Sequence, residues 1–471
     1  MNRRAFIKTA GWAIASTALT GYRTDSMPSM QPKSERPPNV LLIMIDDLGW
    51  TDLHCQGNNH LQTPNIDRLA MQGMRFTDAY AAAPVCSPTR AAIMTGQSPA
   101  RLAITNHLPD QKRFQPDNAT LRSAETVNHL SLDYVTIAER LKEAGYANAF
   151  IGKWHLSGTR EEMSTTEPTR RPEWQGFDLN VGGCCYGGPP SYFEPYKNPA
   201  IRAGKKGEYL TERLADETIN FIREHRDRPF FIALWNYTVH WPMQAPRDLI
   251  DKYKSRPGLK DHRYAAMIEA MDTHIGRVLA SLDELKLADE ILVIFTSDNG
   301  AFGGVTDLHP LRGCKGYLYE GGIRVPLIVR WPGVVKPGTT CATPVISTDF
   351  YPTILDVAGL KPEPGKPMDG ESIVPLIRRK GPLQRQAIYF HYPNYAFHRG
   401  NRLGGAIREG DYKLIEYYDD GSVELYNLAK DIGEHQDLSQ QLPQKAGSMK
   451  EKLDRWLRTS GARMPERIER R

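Results

Sequence analysis

Residues 40–49 read Val-Leu-Leu-Ile-Met-Ile-Asp-Asp-Leu-Gly. Six apolar residues in a row, with no polar residue at alternate positions, suit a strand covered on both faces. The run ends on two adjacent carboxylates, Asp46 and Asp47. Residues 292–300 repeat the design: an apolar run, then Ser297, Asp298, Asn299 and Gly300. Working outward, residues 136–145 predict a helix closed by Gly145, and residues 147–151, 230–234 and 325–329 predict further buried strands. Residues 264–285 place Ile268, Met271, Ile275, Val278, Leu279 and Leu282 on one helical face, with Asp272 and His274 read as solvated. Such alternation predicts an α/β fold: a large, mostly parallel mixed sheet flanked by helices.

Near residue 385 the pattern changes. Residues 387–391 read as a strand, and residues 412–417 and 423–426 flank Asp419-Asp420-Gly421-Ser422, a hairpin signal. Residues 445–457 read as a closing helix. The expected organisation is a catalytic α/β domain over residues 38–384 and a smaller C-terminal α+β domain with an antiparallel sheet over 385–471.

The chain has 471 residues, 40% hydrophobic and 24% charged, with a net charge of +5. That is globular composition, neither disordered nor collagen-like. No block of like charge suggests a nucleic-acid footprint, and residues 467–471, though basic, read as a frayed terminus. The longest apolar runs are far short of the ~20 residues of a membrane helix, so no transmembrane span is expected in the mature chain.

Three positive charges, Arg3, Arg4 and Lys8, fall in residues 1–21, MNRRAFIKTAGWAIASTALTG, which hold no acid. A basic start followed by small apolar residues has the shape of an export signal, and Asn2-Arg3-Arg4-Ala5-Phe6-Ile7-Lys8 resembles the twin-arginine motif. The expectation is a bacterial protein exported to the periplasm or medium, with a linker over residues 22–37. The six cysteines include no C-x-x-C pair, which disfavours zinc.

In an open parallel sheet, ligands bind beyond the carboxyl ends of strands. Adjacent carboxylates repel, so Asp46-Asp47 at one strand end imply a nearby cation, and Asp298-Asn299 bring two more oxygen side chains. An oxygen-only set suits Ca²⁺ or Mg²⁺. Either pair alone would equally suit a turn or helix cap. Residues 84–96 read Pro-Val-Cys-Ser-Pro-Thr-Arg-Ala-Ala-Ile-Met-Thr-Gly. Ser87 can cap a helix, Pro88 suits its first turn and Gly96 its end, which sets Cys86 just before an N-terminus that favours an oxyanion. A buried small hydrophobe and a thiolate nucleophile with a histidine base are the other readings of Cys86.

Cys86-Ser87-Pro88-Thr89-Arg90 resembles the C-x-P-x-R signature of type I sulfatases, in the alkaline-phosphatase-like superfamily. Thr63-Pro64-Asn65-Ile66-Asp67, Gly152-Lys153-Trp154-His155, His240-Trp241-Pro242, Ser297-Asp298-Asn299-Gly300, Gly313-Cys314-Lys315-Gly316 and Glu320-Gly321-Gly322-Ile323-Arg324 follow in the order of that family. The resemblance implies a sulfatase that cleaves sulfate monoesters, with sulfated carbohydrates the favoured substrates. It implies that Cys86 is oxidised to Cα-formylglycine by a maturation enzyme. The hydrated aldehyde is then the nucleophile, and the reaction passes through a covalent sulfo-enzyme. It also implies one Ca²⁺ held by Asp46, Asp47, Asp298, Asn299 and the modified Cys86, with Arg90 steadying the nucleophile. Lys153 and Lys315 would contact sulfate, His155 would act as base and His240 would serve the leaving oxygen. His391, His398, Arg399 and His309 are candidate substrate contacts, with Trp174 and Tyr186 as further possible pocket walls. A phosphonate monoesterase or phosphodiesterase on the same scaffold, and a non-catalytic glycan-binding relative, are the competing functions.

Overall fold

The computed structural model describes residues 36–110, 112–159 and 170–469. Residues 1–21, expected as an export signal, and nearly all of the expected linker lie outside the described residues. An eight-stranded sheet forms the centre, in the order Thr339–Cys341, Met74–Phe76, Leu327–Arg330, Ile291–Ser297, Asn39–Ile45, Phe230–Asn236, Ala147–Gly152, Leu179–Val181. The Leu327–Arg330 strand runs antiparallel to both its neighbours, and the other pairings are parallel. This is the mixed, mostly parallel α/β sheet expected from the apolar runs.

Both faces of that sheet are covered, which explains the unbroken apolar run. Leu41, Ile43 and Ile45 enter one core with the helices Leu210–His225 and His262–Glu284. Val40, Leu42 and Met44 enter another with Ala91, Ile93 and Met94 of the Cys86–Thr95 helix. Side chains of a strand alternate faces, so a doubly covered strand needs apolar residues at every position. Register then fixes the site. Ile45 pairs with Ser297 on one side and with Asn236 on the other, while Gly152 pairs with Trp235. Four parallel strands therefore end level, and the segments carrying Asp46, Asp298, His240 and Lys153 leave from one edge.

A second, four-stranded antiparallel sheet runs Ala387–Tyr392, Gly404–Glu409, Tyr412–Tyr417, Val423–Asn427. The Gly404–Glu409 strand was not expected from sequence, because its two leading glycines mask the strand pattern. One face of this sheet packs Phe390, Ala406 and Ile415 against Tyr80, Val85 and Ala92. The other face meets Met449, Leu453 and Leu457 of the Pro443–Ser460 helix.

Two expectations are corrected. Asp272 is buried, not solvated: its carboxylate accepts from the backbone N–H of Asn65 and Ile66 at 3.2 and 2.8 Å. It thereby satisfies free donors at the start of the Pro64–Gln72 helix. His274, beside it, is half-buried. The basic C-terminal stretch is not frayed at its start, since Glu466–Arg467 pairs antiparallel with Leu121–Arg122. Among the described residues no helix is long and apolar enough to cross a membrane.

Candidate functional site

Cys86 is the first residue of its helix, not the residue before it. Val85 occupies the capping position in an extended conformation. Ser87 is not the cap: its hydroxyl donates to the His155 carbonyl at 3.0 Å and accepts from the Leu108 N–H at 3.1 Å. Gly96 closes the helix at φ 68°, the left-handed turn read from sequence. Arg90 lies four residues after Cys86, on the same helical face. It is fully buried, with Nε and Nη2 donating to Asp298 Oδ2 at 2.9 and 2.6 Å and Nη1 donating to the Lys153 carbonyl. Its guanidinium lies 5.4 Å from the centre of the Trp235 ring.

The acidic cluster is built from the two neighbouring strand ends. Asp46, Asp47 and Asp298 have no solvent exposure. One ligand atom from each of Asp46, Asp47, Cys86 and Asp298 lies within 4.8 Å of the others. Lys153 Nζ donates to Asp46 Oδ2 at 2.6 Å, and Lys315 Nζ donates to Asp47 Oδ1 at 2.5 Å. Lys315 is thus a buried member of the cluster and no loose loop residue. With Arg90, three cations face three carboxylates. The balance is local: burial, with Asp298 nearby, pushes the Asp46 carboxyl up to about 8. Burial would raise Asp47 too, but Lys315 and His240 hold it below the ordinary range. Asp298 is held low because Arg90 and Lys153 outweigh its burial.

Two oxygens in this cluster have no hydrogen-bond partner although they are buried: Asp47 Oδ2 and Asn299 Oδ1. Asn299 spends its amide nitrogen on Asp47 Oδ1 and the Gly300 carbonyl at 2.8 and 2.9 Å. Its carbonyl oxygen is left as a free acceptor. Unpaired buried acceptors are costly. Hard oxygens without donors, beside further carboxylates, fit a hard divalent cation.

The two histidines stand over the cluster. His155 Nε2 donates to the Leu108 carbonyl, which leaves Nδ1 buried and without a partner. Burial and Lys153 hold its pKa well below 6.5. His240 donates from Nδ1 to the Trp241 carbonyl at 2.9 Å and sets Nε2 3.8 Å from Asp47 Oδ2. Burial and Lys315 bring it down to about 3. Sequence reading missed what seats these rings. A Cβ on Gly187 would fall 2.8 Å from His155 Nε2, and one on Gly188 would fall 2.7 Å from His240 Nδ1. The signal was a bare Gly-Gly pair, whose meaning depends on what packs against it. His107, brought down to about 4 mainly by burial, also lines the pocket and was missed.

A cavity of about 470 Å³ opens over Cys86, His155, His240 and Lys315. Phe302 and Phe397 form its wall, stacked at 4.9 Å, with Trp241 edge-on to Phe302 at 6.1 Å. The substrate candidates are mostly elsewhere. His391 is buried in the small sheet, both ring nitrogens engaged by Tyr418 Oη and the Arg463 carbonyl, so it does not reach the cavity. His309 is exposed and outside the cavity lining, as is Trp174. Tyr186 is half-buried and also outside it. His398 stacks on Tyr317 at 4.4 Å and donates to the Lys315 carbonyl at 3.2 Å, so it supports the Lys315 loop. Arg399 donates to the Arg113 carbonyl at 2.5 Å, beside the cavity residue Phe114. Burial pushes the Cys86 thiol up to about 12, which argues against an unmodified thiolate nucleophile.

The sheet and its edge cluster have the arrangement of the alkaline-phosphatase-like fold, and the relatives of this chain make it a sulfuric ester hydrolase. The sulfatase family matches residues 38–360, and the C-terminal part of N-sulphoglucosamine sulphohydrolase matches residues 314–460. The chain belongs to the sulfatase family. A sulfatase of Formosa agariphila is 34% identical, covering 91% of this chain and 90% of its own. N-acetylgalactosamine-6-sulfatase of Mus musculus is 32% identical over 86% of this chain and 76% of its own. Among solved structures, Ps i-CgsB in complex with k-i-k-neocarrahexaose has a TM-score of 0.77 at 29% identity, covering 90% of this chain and 93% of its own.

Proposed function

We propose that the protein hydrolyses O-sulfate monoesters of carbohydrates, with Cys86 carried as formylglycine and one Ca²⁺ held by Asp46, Asp47, Asp298, Asn299 and residue 86. The observation that carries this reading is the pair of buried oxygens without donors, Asp47 Oδ2 and Asn299 Oδ1, beside Cys86 at a helix start. When bound, the ion offsets the charge of an anionic ester and the oxidised residue 86 supplies the attacking hydroxyl.

The remaining work falls to this chain's own side chains. Arg90 fixes Asp298 and the helix face on which residue 86 stands. Lys153 and Lys315 bring positive charge to the edge that an anionic substrate meets. His155 keeps its proton on Nε2 and presents an unpaired Nδ1, the state a proton acceptor needs. The Trp241 carbonyl fixes His240 Nδ1–H, so Nε2 is the nitrogen that can pass a proton to the departing alcohol. An anionic ester beside the ring favours its protonated form, opposing Lys315. The preference for a carbohydrate rests on the aromatic wall and on the oligosaccharide named in the Ps i-CgsB complex.

Export belongs to the same proposal, resting on residues 1–21, as does modification of Cys86 by a formylglycine-generating enzyme. Mass analysis of the Cys86 peptide from native material, with sulfate release from a panel of defined sugar sulfates and a matched aryl phosphonate, tests the whole. The expected result is an aldehyde at residue 86 and release of sulfate faster than of phosphonate. An unmodified thiol in active protein, or preference for the phosphonate, overturns it. Replacing Arg3 and Arg4 by lysine is expected to leave the precursor unexported.

A further inference from the structure

The turn that carries Asp46 and Asp47 out of their strand is held by a residue outside the acidic cluster. Asp47 has φ 61°, a left-handed backbone that costs any residue but glycine energy and persists only where its surroundings fix it. The N–H groups of Asp47, Leu48 and Gly49 donate to three different side chains: Asp298 Oδ1 at 3.2 Å, Ser297 Oγ at 3.1 Å and Asp52 Oδ2 at 2.8 Å. The first two acceptors belong to the neighbouring strand end. The third and shortest bond goes to Asp52, further along the same segment.

Asp52 has no solvent exposure, and among the described residues no lysine or arginine pairs with it. A carboxyl group buried without a cation is costly unless donors surround it. Besides the Gly49 N–H, Tyr264 Oη donates to Asp52 Oδ2 and Thr306 Oγ1 donates to Oδ1, each at 2.6 Å. Tyr264 stands on the His262–Glu284 helix, and Thr306 on the segment that leads from Asn299 to Lys315. One carboxylate therefore ties the Asp47 turn to a helix of the core and to the segment that follows Asp298 and Asn299. Asp52 neither lines the cavity over Cys86 nor joins the carboxylates gathered beneath it. Any effect it has on the site passes through the turn.

We infer that Asp52, anchored by Thr306, is a positioning residue for the metal site: it fixes the Asp47 turn so that Asp47 Oδ2 stays free to meet the ion. This rests on the calcium reading above. The test is calorimetric titration of calcium chloride into the calcium-depleted, aldehyde-bearing full chain. Asp52→Ala is expected to weaken calcium binding about tenfold, as loss of a partner behind a metal ligand does elsewhere. Asp52→Asn should bind close to the wild type, because its amide oxygen can still accept from Gly49 and its amide nitrogen can donate to Thr306 Oγ1. Asp272→Ala supplies the contrast, since Asp272 also receives buried backbone N–H groups but far from the cluster. Its thermal midpoint should fall while its calcium affinity stays that of the wild type. Undiminished calcium affinity in Asp52→Ala overturns the inference. So does an equal loss in Asp52→Asn, which would make charge rather than placement the cause, or an equal loss in Asp272→Ala. If Asp52→Ala does not fold, the near-isosteric Thr306→Val decides: binding about threefold weaker, the size of one hydrogen bond, supports the inference, and unchanged binding overturns it. Absence of calcium binding by the wild type defeats the metal reading itself, and the inference with it.

Discussion

Two of the buried ionic clusters among the described residues are finished differently. In the one joining the two sheets, Lys413 donates to Glu320 Oε1 and Glu434 Oε1 at 2.9 and 2.8 Å. Glu320 Oε2 accepts from Arg324 and Tyr80, and Glu434 Oε2 accepts from the Glu320 N–H. Every carboxylate oxygen there has a donor. At the sheet edge, Asp47 Oδ2 and Asn299 Oδ1 have none. A closed cluster needs nothing more and fixes one arrangement of the chain. An open one keeps an unmet demand for positive charge, which a ligand can fill.

That contrast can be broken from either side. The largest effect is expected at residue 86: Cys86→Ala should lower sulfate release on the order of 10⁴-fold or more, as nucleophile removal does elsewhere, with the thermal midpoint near that of the wild type. Asp298→Ala removes an oxygen of the open cluster and frees Arg90 from its partner. Calcium should raise the midpoint of the wild type by mass action and leave that of the variant unmoved in a calorimetric titration. Equal shifts in both proteins would contradict the metal assignment.

Lys413→Met opens the closed cluster by leaving Glu320 and Glu434 buried without their cation. A loss of about 3–5 kcal/mol of stability is expected by denaturant unfolding, far more than an exposed pair such as Arg122–Glu466 contributes. Gly188→Ala sharpens the comparison within the site. Its methyl group would displace the His240 ring, so kcat should fall about 10–100-fold while calcium still raises the thermal midpoint.

The smallest effect is one of pH. Burial brings His391 down to about 4, so the folded protein keeps it neutral where the unfolded chain, near 6.5, takes up a proton. Its contribution is complete above pH 6.5, declines as pH falls and is lost once pH passes about 4. His391→Gln should therefore show a shallower fall of the thermal midpoint between pH 6.5 and 4. An unchanged slope would mean that the imidazole is accommodated when charged.

Much of the site was legible in the sequence because strand ends carry local chemical signatures. Asp46-Asp47 and Asp298-Asn299 each follow an apolar run, and Cys86 with Arg90 sits on one helical turn. Substrate residues were not legible in that way. His391 looked as available as His398, and only packing shows that one is enclosed by Tyr418 and Arg463 while the other braces the Lys315 loop. Gly187 and Gly188 carry no side chain to read, and their role lies in the rings they leave room for. Asp272 was misread for the same reason: nothing local tells that another helix begins against its carboxylate.

Sequence by itself determined the α/β class, the doubly covered strands and the residue types at their ends, since periodicity and adjacent charge are properties of neighbours along the chain. Tertiary structure alone decided that Ile45 and Ser297 lie in register, which oxygens stay unpaired, and which side chains line the cavity over Cys86. Those are relations between segments up to about 250 residues apart, such as Asp47 and Asp298. Pairing, burial and the shape of enclosed space exist only once distant segments have been brought together.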